Sequence, residues 1–101
     1  MEGVYYDPNH GGCVRTIEKR SETQYVITGA YGTGEMARAG TLWRAYARAH
    51  GHNGHFLLVD FKEKKTKHER VYHALWCPSV RQIAWEDGNV WKRLHSPYDA
   101  A

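Results

Sequence analysis

Asn53-Gly54 and Asp87-Gly88 each interrupt a run rich in aromatic and aliphatic residues. Dipeptides of this kind reach positive φ at low cost, and the two-residue type I′ turn they favour twists in the same sense as the strands it joins. A chain that doubles back twice in this way within 101 residues is constrained to an antiparallel meander. The same turns set expected registers. Across Asn53-Gly54, His52 opposes His55 and Ala47 opposes Asp60. Across Asp87-Gly88, Ile83, Trp85 and Val90 share one face, the expected core face, while Ala84 and Trp91 share the other.

The remaining segments read as further strands. Gly3-Val4-Tyr5-Tyr6 is a short first strand ended by the loop Asp7 to Gly12, where Asp7 and Asn9 can bond nearby backbone and Pro8 presets φ. Val14 to Lys19 and Gln24 to Tyr31 are β-rich segments around Arg20-Ser21-Glu22-Thr23. Met36 to Ala39 could begin a helical turn that Gly40 stops. Between Leu42 and His50 the alanines favour a helix, yet Trp43, Ala45, Ala47 and Ala49 alternate with Arg44, Tyr46, Arg48 and His50. That period of two, beside the strongly β-forming Phe56 to Phe61, predicts a strand. Lys62 to Arg70 is a charged connection, Val71 to Cys77 a strand stopped by Pro78, and Val80 to Glu86 with Asn89 to Leu94 the last hairpin. The expected fold is all-β, an antiparallel meander of seven or eight short strands forming a small barrel or strongly curled sheet. Residues 1–95 make a single β domain and 96–101 a flexible C-terminal tail.

A short chain buries a modest share of its surface, and Trp 4, Tyr 7 and Phe 2 supply large side chains that compensate. The formal charge of +3 comes from Lys and Arg spread along the chain, so acidic partners are allowed without being demanded. No apolar stretch approaches the ~20 residues of a membrane helix, and the N-terminus lacks the basic and apolar regions of a signal peptide. A soluble protein of the cytoplasm or another intracellular compartment, with no membrane partner, is expected. Cys13 and Cys77 then read as reduced thiols more readily than as a bridge, and neither has the closely spaced ligands of a zinc site.

Tyr6-Asp7-Pro8-Asn9-His10-Gly11-Gly12-Cys13, Val59-Asp60-Phe61 and Trp85-Glu86-Asp87-Gly88-Asn89-Val90-Trp91-Lys92 together resemble a family of small, largely uncharacterised eukaryotic β-domain proteins. Those proteins carry a Tyr-x-Asp-Pro-Asn-His segment and close on an Asp-Gly-Asn-x-Trp turn. The resemblance implies a compact antiparallel fold and no particular activity. It departs after Phe61, where the family has a Gly-rich turn and this chain has Lys62-Glu63-Lys64-Lys65-Thr66-Lys67. Gly3-Val4-Tyr5-Tyr6-Asp7 and Gly29-Ala30-Tyr31 are also similar to the opening of avidin-like meander barrels, a likeness of fold only.

Four constellations bear on function. In the two-residue register His50, His52 and His55 converge at one hairpin tip, where neutral imidazoles could bind zinc, nickel or copper; the alternative is a solvated polar turn. Asp7, Asn9 and His10 sit in one loop with Cys13, which could bring a base to a thiol, but the main reading of these residues is tight loop closure. Asp60 shares a face with Phe56 and Leu58, as a general acid in apolar surroundings would, or as a carboxylate that pins strands together. Tyr46 between Arg44 and Arg48 has the aromatic-and-cation character of a single-stranded nucleic-acid surface. The leading expectation is a non-catalytic binding or protein-interaction module without a resident cofactor. Tyr46 and Trp91 would be its exposed aromatics, with Arg44 and Arg48 beside them, and its partner a protein, a small molecule or a nucleic acid.

Overall fold

The computed structural model describes residues 1–10, 14–30, 42–61 and 71–94. Eight antiparallel strands follow one another around a closed barrel. They are β1 (Gly3–Tyr6), β2 (Val14–Lys19), β3 (Gln24–Ala30), β4 (Leu42–His50), β5 (Phe56–Asp60), β6 (Val71–Cys77), β7 (Gln82–Trp85) and β8 (Val90–Arg93). A single 3₁₀ turn, Pro8–His10, follows β1. The ring closes where Tyr5 pairs with Arg93 and Tyr6 with Lys92, and the Leu94 N–H donates to the Val4 carbonyl at 2.8 Å. No described helix is long and apolar enough to cross a membrane. The helical turn expected near Met36, the charged connection 62–70 and the C-terminal tail lie outside the described residues.

Alternation along β4 decides what fills the barrel. Trp43, Ala45, Ala47 and Ala49 all point inward and are buried, while the residues between them are exposed. The three small alanines leave room for larger neighbours: Ile27 opposite Ala45, Tyr25 and Val59 on either side of Ala47, and Leu57 opposite Ala49. Gly29 faces Trp43 for the converse reason, since a Cβ on Gly29 would run into the indole. Trp43, Phe61, Tyr72, Trp85 and Trp91 form a continuous chain of ring contacts at one end of the interior, with Phe61 touching three of the others at 5.5–5.6 Å and Trp85 meeting Trp91 at 4.7 Å. Tilted and edge-on pairs of this kind add about 0.5–1.5 kcal/mol each beyond their buried area.

Both expected hairpin registers are shifted by one residue. The loop after β7 spans 86–88: the Gly88 N–H donates to the Trp85 carbonyl at 3.0 Å, the Trp85 N–H to the Asn89 carbonyl at 2.9 Å, and Gly88 takes φ 91°. That is a three-residue connection, a turn followed by one left-handed residue, in place of the two-residue turn. Ile83 therefore opposes Trp91, and Ala84 opposes Val90. A one-residue slip exchanges the two faces. Trp91 is in the core at 4% exposure and Val90 is outside, a correction to the sequence reading of both. The physical reason is area, because this register buries an indole where the other would bury an isopropyl group.

Asn53-Gly54 behaves in the same way. His50 pairs with Phe56 across a five-residue loop in which Gly51 and Gly54 carry the positive φ and Asn53 does not. The Asn53 side chain instead accepts from the His55 N–H at 3.1 Å. Leu57, Val59 and Phe61 thus face inward, and Phe56, Leu58 and Asp60 face outward. Asp60 opposes Tyr46 and not Ala47. The two-residue register would have turned a carboxylate toward the core, at a desolvation cost that the five-residue loop lowers by leaving Asp60 half-buried on the outer face.

Candidate functional site

Sequence reasoning missed the charge inside the barrel. Arg15 lies on β2 two residues before Ile17 and so shares its inward face, a parity that could have revealed it. Its guanidinium sits 5.0 Å from the ring of Trp43 and 5.8 Å from that of Trp91. One nitrogen donates to the Ala30 carbonyl at 3.2 Å and another to Asp7 Oδ2 at 3.3 Å. The side chains of Arg15 and Asp7 are 1% and 3% exposed. Asp7 Oδ1 accepts the Asn9 N–H at 2.9 Å and the Asn89 amide at 3.0 Å. One carboxylate therefore ties the turn after β1, the start of β2 and the loop before β8 together.

Of the two readings of the N-terminal loop, Asp7 serves the closure of the loop. Asp7 is sequestered in an ion pair with its lone pairs engaged, so it is spent on holding one end of the barrel. Asn9 is exposed, with its backbone bonded to Asp7. The proposed meeting of His10 with Cys13 lies outside the described residues, as does any bridge from Cys13; Cys77 is a free thiol.

The histidine cluster also changes. With the five-residue loop, His52 no longer opposes His55, and His50 stacks on Phe56 at 5.9 Å. Among the described residues no group of three or more His, Cys, Asp or Glu is placed to hold a metal ion.

The remaining sequence candidates do come together, on the outside. Arg44, Tyr46 and Arg48 project from the outer face of β4 and line a hollow of about 560 Å³ over β3, β4 and β5. Cross-strand register builds it. Val26 of β3, Tyr46 of β4, Asp60 of β5 and Val71 of β6 stand in one row, and Gln24, Arg48 and Leu58 in the next. Val26 is buried beneath its neighbours although it faces outward, forming an apolar floor, while Tyr46 is 36% exposed and Leu58 and Val71 are similarly open. Arg20 completes the rim and is held 3.9 Å from Glu18. Neither Arg44 nor Arg48 makes an ion pair with a described residue. Trp91, expected to be exposed as Tyr46 is, lies on the inner side of the wall in the core. What the hollow offers chemically is three guanidiniums against the one carboxylate of Asp60, a phenol and an aliphatic floor, which suits capture of an anion with an apolar portion.

Compared with known proteins, the chain matches no family model, no curated protein and no solved structure.

Proposed function

We propose that this barrel is a non-catalytic binding module that takes up an anionic partner on its outer wall, over β3 to β5. The supporting observation is the Arg-rimmed hollow of about 560 Å³ around Tyr46, set on a barrel whose interior is occupied by its own rings and its Arg15–Asp7 pair. A hollow of that size matches the usual range for ligand sites, about 300–1,000 Å³. Arg44 and Arg48, set on a strand paired on both sides, make no ion pair with a described residue, so they lose little by accepting a ligand anion.

Single-stranded nucleic acid is the second reading, favoured by the half-open tyrosine ring midway between two arginines. Fluorescence anisotropy with labelled polyglutamate and labelled oligothymidylate tests the class as a whole. Binding that weakens with salt and is lost in Arg44→Glu, with the melting temperature unchanged, supports the reading. Binding that survives the charge reversal, or no binding of either polyanion, overturns it.

A further inference from the structure

We propose that the occupant of this face is an extended protein segment with acidic side chains two residues to either side of an apolar one. The proposal rests on the anionic-partner reading and names the partner. Outward side chains on one strand repeat every two residues, roughly 7 Å, so Arg44, Tyr46 and Arg48 form a line about 14 Å long with the ring at its midpoint. An extended peptide presents alternate side chains at the same interval. A pattern acidic-x-apolar-x-acidic therefore meets arginine, tyrosine and arginine residue for residue, without bending either chain.

Charge along the line distinguishes this partner from a nucleic acid. Asp60 stands in the row of Tyr46, so the centre of the face carries a carboxylate while its two ends carry guanidiniums. A nucleic-acid strand bears a phosphate on every nucleotide and would bring one to the middle of the line, where Tyr46 and Asp60 stand and no guanidinium does. A peptide with its charges only at the ends avoids that mismatch and places its apolar side chain on Tyr46, Leu58 and the buried Val26. Strand addition is not available here. The Tyr46–Arg48 stretch of β4 is paired with β3 on one side and β5 on the other, so recognition must come from side chains and not from a free ladder edge.

The test uses three labelled probes on the full chain: a Gly-Glu-Ser-Phe-Ser-Glu-Gly peptide, the same composition with the two glutamates adjacent, and oligothymidylate. The patterned peptide is expected to bind about tenfold or more tighter than the rearranged one. Arg44→Glu, Arg48→Glu and Tyr46→Ala should each weaken it while leaving thermal unfolding in place. A Lys-for-Glu version of the peptide should prefer the double variant Arg44→Glu/Arg48→Glu. Equal binding of both peptides overturns the spacing argument and leaves the anionic-partner reading standing. Arginine-dependent binding of the oligonucleotide alone does the same. Failure of all three probes overturns both.

Discussion

Replacing Asp7 by Asn removes a charge without changing shape, and it takes away the carboxylate that pairs with Arg15 in the barrel interior. The two side chains are 3.3 Å apart and 3% and 1% exposed, so water replaces little of what is lost. At an effective dielectric of about 20 the Coulomb attraction at this distance is roughly 5 kcal/mol. Contacts with Trp43 and Trp91 persist in the variant and do not enter the difference, whereas relaxation of the site offsets part of the Coulomb term. A net loss of about 3–5 kcal/mol is expected, as for other buried pairs broken from one side. For a domain of this size that lowers the melting temperature by about 12 °C or more. The converse change, Arg15→Met, should cost less. Asp7 keeps the donors from Asn9 and Asn89, and its carboxyl can take up a proton, an escape closed to a guanidinium. Urea unfolding followed by tryptophan fluorescence measures both, since Trp43, Trp85 and Trp91 all lie in the core. A loss below about 1 kcal/mol for Asp7→Asn, the range of surface pairs, would refute the burial of this charge.

Three further outcomes follow from the packing. Trp91→Ala should cost about 3–5 kcal/mol in the same unfolding assay, whereas a value near zero would restore the two-residue turn and an exposed indole. Gly29→Ala drives a methyl group into the Trp43 ring and the Arg15 stem, so a destabilisation of about 1–3 kcal/mol is expected, and an unchanged midpoint would mean that the indole is free to move. The Tyr5 phenol is buried and donates to the Met1 carbonyl, and desolvation holds it above its ordinary range despite the opposing charge of Arg93. Its neutral form is therefore the folded form. Stability should be intact below about pH 10, where the unfolded phenol begins to ionise, and should fall as pH rises through the folded value. Tyr5→Phe should flatten that alkaline limb in a pH series of thermal melts, and an identical limb in both proteins would refute the assignment.

Element identity was legible because period-two alternation is a local property. Trp43 to Ala49 announced β4 against the helix propensity of its alanines, and the strands from β1 to β8 fall where branched and aromatic residues cluster. The handing of faces was not legible, because it depends on a single residue of loop length. Both Asx-Gly turns suggested two-residue connections, and both were overruled by what the longer loop buries: an indole in place of a valine at one, and an aliphatic row in place of Asp60 at the other. Arg44, Tyr46 and Arg48 survived this because their placement follows from the alternation of β4 alone. Trp91 did not, since its side of the wall is set by the turn before it. The Arg15–Asp7 pair joins two loop-adjacent residues through the interior, and only closure of the ring gives that contact a cause.

Parity along β4 also separates two kinds of consequence. Its odd-numbered residues set how tightly the rings pack, and its even-numbered ones meet solvent without entering that packing. A closed ladder resists sliding, because moving β4 by one residue would break its pairing with β3 and β5 together and turn Arg44 and Arg48 inward. The buried carboxylate at Asp7 thus supports the outer face at a distance, by pinning the barrel end from which β2 and β8 start. Inward substitutions should move the unfolding midpoint and leave the affinity for an acidic segment alone while the barrel remains folded. Outward ones should do the reverse. A variant such as Ala45→Val that changes affinity before it changes stability would show that the wall deforms under its own core, and the line of arginine, tyrosine and arginine would lose its basis.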